Sequence, residues 1–362
     1  MSELTLDGPG HDPGLTHPVD RAEPFCRYFG ECGGCTLQNF GPVSYAQYKR
    51  GVIERSMSKA GVMSEVGALV DAYGAGRRRA TLHVRGGHCG YMKRKSHDII
   101  DIEECPILVT SLRRVAPEMA RQIGALASDC DIAFTATSTG LDVSVRTVKK
   151  LRADRLTLLA QRLAVARMTV NGDLVLQVRP PEIAVGQARV ELPPASFLQA
   201  TEKAEEVLAA LVAEGVGKAK SVADLFCGVG VFALRLAERA RVYAADSDRP
   251  AIAALGKAVR MTQGLKPVTA VARDLFRNPL APVELAPYDA VVFDPPRAGA
   301  EAQARELSRS QVKTVVSVSC DARSFARDAA ILVAGGYRIE SVVPVDQFAW
   351  STHVEIVAVF RR

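Results

Sequence analysis

The sequence lacks any long apolar run, although hydrophobic residues make up 48% of its 362 positions. No stretch approaches the roughly 20 apolar residues that a membrane-spanning helix requires, so we expect no membrane segment. The N-terminus also lacks the basic region and apolar core that define a secretory signal. It is rich in Pro, Gly, His and Asp, and we expect residues 1–24 to be a disordered lead-in. A cytoplasmic location is the corresponding expectation.

A strong excess of one charge is also missing, because 46 Lys and Arg residues stand against 40 Asp and Glu residues, a net charge of +6. This balance is compatible with an anionic partner but does not require one. The basic residues cluster in the first half of the chain, at positions 77–79, 93–95, 113–114 and 149–152. A single cluster is usually a solvated surface, but several in one region favour a surface that contacts phosphates.

The chain has no internal repeat, and its two parts differ in their pattern of apolar residues. Residues 25–191 begin irregularly and then show strand-like segments around a helical stretch at 106–128. This pattern predicts a smaller α+β domain with an antiparallel sheet, including a hairpin with a turn at 86–87. In residues 192–362, apolar strands alternate with amphipathic helices, which predicts an α/β domain with a mostly parallel, doubly wound sheet. The last two strands are expected to form an antiparallel edge hairpin.

The first strand-to-helix turn of the second domain, within DLFCGVGVFAL, contains Asp224, Gly228 and Gly230. The third glycine of the dinucleotide-binding fingerprint is absent, so a pyrophosphate cradle is incomplete. Asp246 and Asp294 end the second and fourth predicted strands. Acids at strand ends without a phosphate cradle favour a nucleoside-type cofactor such as S-adenosylmethionine. An ordinary strand-ending turn is the alternative interpretation.

Eight cysteines in a reducing compartment indicate metal binding or catalysis more than disulfides. Three of them form the C-x5-C-x2-C spacing of CRYFGECGGC, namely Cys26, Cys32 and Cys35. Such closely spaced thiolates can bind a metal or an iron–sulfur cluster, and a fourth ligand is needed. The candidates are Cys89, Cys105 and Cys130, of which Cys105 precedes a proline, as in ferredoxin-type ligation. Zinc with four cysteines suits the same residues.

The motifs DLFCGVGVF, DPPRAG, SVSCD and THVE together resemble the RNA uracil-C5 methyltransferase family, which makes 5-methyluridine, from about Cys26 to the C-terminus. The resemblance implies a Rossmann-like class I S-adenosylmethionine-dependent methyltransferase domain, preceded by the smaller α+β domain with a cysteine-ligated cluster. It also selects Cys105 as the fourth ligand and implies a [4Fe–4S] cluster.

By the same resemblance, Cys320 matches the nucleophile that adds to C6 of uracil, and Glu355 matches the acceptor of the C5 proton. The alternative interpretations without a catalytic role are that Cys320 is an inert core thiol and that Glu355 is an exposed acid on an edge strand. No activating group for the thiol is visible in the sequence. The positions that match cofactor contacts are Gln199, Phe226, Asp246 and Asp294.

Two positions depart from the family pattern. Asp246 stands where glutamate is commoner, and residues 349–351 read Ala-Trp-Ser where the family usually has Pro-His-Thr or similar. The second departure leaves open how the loop before Glu355 is built.

The cysteine motif also bears on the substrate, because cluster-containing members of the family resemble the ribosomal-RNA enzymes. We therefore expect a monomer that binds RNA and methylates a uridine of 23S rRNA. The alternatives are a tRNA uracil-C5 methyltransferase, a base amino-group methyltransferase, a non-catalytic RNA-binding assembly factor, and an iron–sulfur redox protein.

Overall fold

The structure, a computed structural model, describes residues 19–149, 151 and 153–362. Residues 1–18 of the expected lead-in, and positions 150 and 152 of one basic cluster, lie outside the described part. The helices are α1 (Pro42–Lys59), α2 (Thr110–Arg113), α3 (Val115–Ala127), α4 (Ala153–Arg162), α5 (Glu202–Val216), α6 (Val231–Leu236), α7 (Arg249–Met261), α8 (Pro282–Leu285), α9 (Glu301–Ser308) and α10 (Ala322–Ala334).

The strands fall into a first group before α5 and a second group after it. The first group is β1 (Val70–Asp71), β2 (Arg79–Arg85), β3 (His88–Met92), β4 (Ile99–Asp101), β5 (Cys130–Thr137), β6 (Gly140–Thr147), β7 (Arg167–Val170), β8 (Asp173–Gln177), β9 (Glu182–Val185) and β10 (Ala188–Glu191). The second group is β11 (Ser221–Leu225), β12 (Arg241–Asp246), β13 (Val268–Ala272), β14 (Ala290–Phe293), β15 (Thr314–Ser319), β16 (Arg338–Asp346) and β17 (Glu355–Arg361).

The seven strands of the second group, together with β1 from the first, form one eight-stranded sheet in the order β13-β12-β11-β14-β15-β17-β16-β1. Its five strands from β13 to β15 are parallel, which confirms the predicted doubly wound arrangement. Strands β11, β14 and β15 are buried on both faces, as expected where helices cover both sides of a parallel sheet. The order reverses between β11 and β14, and ligands of such sheets bind at this point.

The last two strands pair antiparallel as predicted, but they do not form a free edge hairpin. β17 lies between β15 and β16, and the short β1 adds in parallel beyond β16. Because β17 runs against β15, its first residue lies at the edge where the parallel strands end. This insertion decides where Glu355 is placed.

The other large sheet has seven strands in the order β4-β3-β2-β5-β6-β7-β8. The predicted hairpin is present, with β2 and β3 joined through Gly86 and Gly87, which have φ of +56° and +86°. The prediction of an antiparallel sheet was wrong at one position, because β6 and β7 are parallel. The cause is α4, which crosses between them and was not identified from the sequence. The core of this sheet includes Ile123, Phe134 and Val145.

Two segments that the sequence analysis placed with the first domain pack on the second sheet instead. Helix α1 contacts α10, and the β9–β10 hairpin contacts α7 and contributes Val185 and Val190 to the core of the second sheet. Part of the expected lead-in is also ordered, since Asp20 accepts hydrogen bonds from Val43 N–H at 3.0 Å and Ser44 N–H at 2.8 Å. These bonds satisfy donors at the start of α1, where Gly41 has no capping side chain.

In the described part of the chain, no helix is both long and apolar enough to cross a membrane.

Candidate active site

The carboxyl ends of β11, β12, β14 and β15 border one cavity of about 500 Å³. Its walls include all the residues that the sequence analysis assigned to catalysis and cofactor binding, namely Gln199, Phe226, Asp246, Asp294, Cys320 and Glu355. The structure therefore brings these side chains together, while their individual roles stay predictions.

Strand register makes Cys320 and Glu355 neighbours. β15 ends at Ser319, which pairs with Ile356 on the antiparallel strand β17. The next position toward the cavity is Cys320 on one strand and Glu355 on the other. Both strands are buried along their length on both faces, so a shift of register would move apolar side chains out of the packing sites that fit them. A thiol and a carboxyl group are thus held side by side at the sheet edge.

The turn after β11 brings its backbone close to the cavity. Gly230 has φ of +88°, and a Cβ there would lie 2.4 Å from Cδ1 of Leu255. The N–H of Gly228 donates to Oδ2 of Asp246 at 2.9 Å, and the N–H of Asp248 donates to Oδ1 at 2.8 Å. These bonds fix the carboxylate at the end of β12 and leave lone pairs that can accept from ribose hydroxyls.

Two aromatic rings form one wall of this cavity. Phe226 and Phe276 have ring centroids 5.4 Å apart, and both line the cavity. Phe226 adopts φ of +60°, a conformation that costs energy for a residue with a Cβ and is concentrated at ligand sites. The sequence analysis missed Phe276, which lies in the segment that follows β13. An apolar wall of this kind suits the flat face of a purine.

Carboxyl groups at this edge are poorly solvated. Asp224 is fully buried, and neither of its oxygens has a hydrogen-bond partner among the described residues. Burial, followed by the charge of Asp294, raises the pKa of Asp224 well above its ordinary value. Burial also raises the pKa of Asp294, which a hydrogen bond from Nε2 of Gln199 at 3.0 Å partly counteracts. A cationic ligand would offset the repulsion between these acids. The two carboxyl groups therefore fit the positively charged sulfonium and ammonium groups of S-adenosylmethionine.

Most groups around Cys320 oppose its ionisation. Burial, then the charges of Glu355 and Asp294, raise the pKa of Cys320 to about 12, and Arg297 acts in the opposite direction. Nη2 of Arg297 lies 3.5 Å from Nε2 of His353 at the mouth of the cavity. Arg297 is therefore the activating candidate that the sequence analysis did not identify. The signal was present, because this arginine directly follows the D-P-P motif.

The loop between β16 and β17 is held from its outer side by α1. The Lys49 ammonium is buried and donates to Oδ1 of Asp346 at 2.8 Å and to the carbonyl of Phe348 at 3.1 Å. The Tyr45 hydroxyl donates to Oδ2 of Asp346 at 2.5 Å and accepts from the N–H of Trp350 at 2.8 Å. Phe348 in turn lines the cavity.

Trp350 explains how the unusual Ala-Trp-Ser segment is accommodated. Its ring packs edge-on against Phe25 and Tyr73, with centroid distances of 4.8 Å in both cases. Its carbonyl accepts from the N–H groups of Thr36 at 2.8 Å and Leu37 at 3.0 Å. The loop before Glu355 is thus anchored to the segment that follows the cysteine motif.

A second cavity, of about 160 Å³, is lined by the predicted ligands Cys26, Cys32, Cys35 and Cys105. The rival candidates Cys89 and Cys130 are not among its lining residues. Burial raises the pKa of Cys35 to about 11 and that of Cys105 to about 12. Among the described residues, no group of three or more Cys, His, Asp or Glu side chains is arranged to hold a metal ion. The structure therefore brings the four predicted thiols to the lining of one cavity, and their role as ligands stays a prediction.

The basic clusters differ in their surroundings. The cluster at 77–79 is not a solvated patch, because Arg78 is buried and bonds to Glu205 at 2.5 Å and Arg79 stacks over the exposed ring of Phe197 at 5.2 Å. The cluster at 93–95 lies at the tip between β3 and β4, where its cations have no acidic partner among the described side chains. It lines an open groove of about 680 Å³ together with His83, His97 and the glycines of the cysteine motif.

Comparisons with known proteins show what this chain is similar to. A model of the tRNA (uracil-5-)-methyltransferase family matches residues 145–362. An uncharacterized RNA methyltransferase of Brucella suis biovar 1 is 46% identical over 354 residues, covering 95% of this chain and 85% of the relative. The 23S rRNA (uracil(1939)-C(5))-methyltransferase RlmD of Chromohalobacter salexigens is 32% identical over 386 residues, covering 96% of this chain and 78% of the relative.

The fold is also similar to that of a solved structure. The crystal structure of Pyrococcus abyssi tRNA (uracil-54, C5)-methyltransferase in complex with S-adenosyl-L-homocysteine aligns with a TM-score of 0.72. The aligned parts cover 90% of this chain and 85% of that one at 24% sequence identity. The predicted Rossmann-like methyltransferase fold is thereby confirmed.

Proposed function

This chain belongs to the tRNA (uracil-5-)-methyltransferase family, and from that premise we propose that it transfers a methyl group from S-adenosylmethionine to C5 of a uridine in RNA. The observation that carries the proposal is the placement of Cys320 beside Glu355 in a cavity that also contains Asp246 and Asp294. A thiol and a carboxyl group in contact with one substrate are the nucleophile and base that methylation of a pyrimidine carbon needs.

The chemistry begins with Cys320, because C5 of uracil is by itself a poor nucleophile. The thiolate forms an Sγ–C6 bond, and the electrons of the C5–C6 double bond move into an enolate that is nucleophilic at C5. S-adenosylmethionine, when bound, would supply the electrophilic methyl group that C5 takes up, and the electrons of the broken S–CH3 bond would stay on the thioether sulfur of S-adenosylhomocysteine. Once C5 carries both a methyl group and its original proton, Glu355 removes the proton, the C5–C6 double bond returns and Sγ leaves C6.

The residues around this pair have separate tasks in the proposal. Arg297 favours the thiolate of Cys320, which burial disfavours. Gln199, Phe226, Asp246 and Asp294 hold the methyl donor. Both faces of the pyrimidine ring must be reachable, so the uridine has to be unstacked or flipped out of its helix.

For the substrate, we favour a uridine of 23S rRNA. The support is the similarity to the Chromohalobacter enzyme, whose name specifies that RNA, over almost the whole chain. The set of four cysteines around one cavity supports the same choice, because the resemblance associates it with ribosomal-RNA enzymes.

The proposal can be tested on RNA from a strain in which the gene has been deleted. The purified protein is incubated with labelled S-adenosylmethionine and total RNA, and 5-methyluridine is then mapped. We expect label at a uridine of 23S rRNA. Label in tRNA would overturn the choice of substrate, label on a base amino group would overturn the reaction, and no label would favour a non-catalytic assembly factor.

We further propose that Cys26, Cys32, Cys35 and Cys105 hold a [4Fe–4S] cluster. These residues line one cavity, and metal binding would displace the protons of thiols such as Cys35 and Cys105, whose pKa values burial raises. A single zinc ion requires four sulfurs at about 2.3 Å from one centre. Zinc held by the same four thiols is therefore the alternative that metal analysis of the purified protein has to separate from the cluster.

Removing one of these ligands tests the cluster. Cys105→Ala is expected to lose most of the bound iron and the visible absorbance of protein purified without oxygen, because four thiolates are needed to hold the cluster. Iron and sulfide analysis with absorption spectra measures this. Cys89→Ala, at a buried cysteine outside the cavity, is the matched control and should keep its iron. Stoichiometric zinc without iron in the wild type would contradict the proposal.

The groove at residues 93–97 is proposed as part of the RNA-binding surface. Replacing Lys93, Arg94 and Lys95 together with alanine should weaken RNA binding at low salt by about tenfold or more and reduce the salt dependence of the affinity. The reason is the loss of cations that have no acidic partner in the described part of the chain. Fluorescence anisotropy over a salt series measures both quantities.

The control for this triple variant is Arg305→Ala on α9 together with Arg309→Ala at the residue after this helix, because each arginine already pairs with a glutamate. An unchanged salt slope in the triple variant would show that the groove does not contact phosphates.

A further inference from the structure

One buried amide joins the two ends of the catalytic cavity. Nε2 of Gln347 donates to Oε2 of Glu355 at 2.5 Å and to Oε1 of Gln199 at 2.7 Å. Oε1 of Gln347 accepts from the backbone N–H of Ala200 at 2.7 Å. Gln347, Gln199 and Glu355 are all almost fully buried. The side chain therefore uses both of its N–H donors and its oxygen inside the protein.

These contacts fix the orientation of two amides in sequence. Because a backbone N–H can only donate, the oxygen of Gln347 must face Ala200, and its nitrogen must face Glu355 and Gln199. The oxygen of Gln199 is then occupied, so its nitrogen faces Asp294, to which it donates at 3.0 Å. The result is an ordered chain from Glu355 through Gln347 and Gln199 to Asp294, in which each carboxylate accepts one hydrogen bond.

We infer that Gln347 is a positioning residue that holds one oxygen of Glu355, so that the other oxygen takes the C5 proton. Through its second hydrogen bond, to Gln199, it also aligns this carboxylate with the side of the cavity that holds the methyl donor. The inference rests on the proposed function. Gln347 touches neither uracil nor methyl donor in this account and acts through the groups it holds. The backbone at Gln347 is held in place because the preceding residue, Asp346, is bonded to Lys49 and Tyr45.

Geometry argues for this role over simple core filling. Glu355 and Asp294 are two buried acids whose negative charges repel each other. Without a hydrogen bond to fix it, the Glu355 carboxylate would rotate away from Asp294. A neutral amide with two donors can satisfy Glu355 and Gln199 together without adding charge. An apolar side chain of the same size would fill the space but leave both acceptors without donors.

The test uses Gln347→Met, which keeps the length of the side chain and removes its hydrogen bonds. Wild type and variant react for a single turnover with methyl-labelled S-adenosylmethionine and uridine-containing RNA, and quenched samples are run on denaturing gels. In the variant, the labelled protein–RNA adduct should form at nearly the wild-type rate and break down about tenfold more slowly. Gln347→Asn, which keeps the amide but not its reach, should show the same defect.

The matched control is Gln303→Met on α9. Gln303 is equally buried, but among the described residues its amide bonds only to the backbone of Leu280, outside the cavity. This variant should lose thermal stability and keep normal adduct breakdown. Calorimetric binding of S-adenosylmethionine to each variant separates folding and cofactor effects from the chemical step.

The outcomes distinguish the two levels of the proposal. Normal adduct breakdown in Gln347→Met, an equal delay in Gln303→Met, or a variant that forms no adduct would each overturn the positioning role. A wild-type protein that methylates uridine without any adduct that depends on Cys320 would instead overturn the proposed function on which the role rests.

Discussion

Replacing Cys320 with alanine is expected to lower the methylation rate by roughly 10⁴-fold or more, because no other described group lies beside Glu355 to add to C6 of uracil. Cys320→Ser should be nearly as inactive, since an alcohol ionises far less readily than a thiol. Transfer of labelled methyl groups to unmodified RNA measures the rate. RNA that contains 5-fluorouridine adds a second measurement, because fluorine cannot leave C5 as a proton does and the adduct is trapped.

The control for this prediction is Cys227→Ala. Cys227 also lines the cavity, but it is buried and its pKa is raised well above the ordinary value by burial, with Asp224 and Asp246 adding to the effect. It should therefore behave as a core thiol, and its alanine variant should form the trapped adduct. If the adduct disappeared in the Cys227 variant and persisted in the Cys320 variant, the nucleophile would be misassigned.

The sequence predicted the parts of the molecule that depend on local patterns. Apolar strands that alternate with helices gave the parallel sheet, and the placement of Asp246, Asp294 and Cys320 at strand ends followed from it. Parallel strands deliver their carboxyl ends to one edge, so these residues had to meet. The same reasoning failed for α4, a helix of only 10 residues, and the parallel pairing of β6 with β7 was missed with it.

What the sequence could not predict are contacts between distant segments. The salt bridge from Lys49 to Asp346 joins α1 to the end of β16, and Trp350 joins the loop before Glu355 to the cysteine segment. No periodicity or motif in the sequence indicates these long-range contacts, because the residues around each partner form an ordinary local pattern. Gln347 was overlooked for the same reason, because its role depends on hydrogen bonds to Gln199 and Glu355 that only the structure shows.

These long-range contacts connect the two cavities of the protein. The loop that carries Phe348 into the catalytic cavity is anchored by Trp350 to residues just after the cysteine motif. Arg77 lines the cysteine cavity, and its guanidinium lies 6.0 Å from the ring centroid of Phe348. We propose that a change at the four cysteines would reach the catalytic loop through this packing. The proposed cluster would then have a structural part in catalysis, without any transfer of electrons.

Replacing Glu355 with glutamine is expected to reduce turnover by roughly 10²- to 10⁴-fold while leaving the first methyl transfer intact. The amide keeps the size of the side chain but cannot accept the C5 proton, so the methylated adduct with Cys320 should accumulate. Denaturing gels of samples with labelled methyl groups would show it as a stable protein–RNA band. The wild-type adduct should break down faster as pH rises from 7 to 9, because burial and then Asp294 raise the pKa of Glu355 to about 8, and only the ionised form is a base.

The pH dependence of adduct formation and that of adduct breakdown report on different residues. Adduct formation depends on ionisation of Cys320, whereas adduct breakdown depends on Glu355, so only breakdown should become independent of pH in Glu355→Gln. Glu340→Gln, at an exposed acid on β16 that pairs with Arg361, is the matched control and should behave as wild type. If the Glu355 variant released product at the normal rate, another group would have to remove the proton, and the carboxyl group beside Cys320 would act only through its charge.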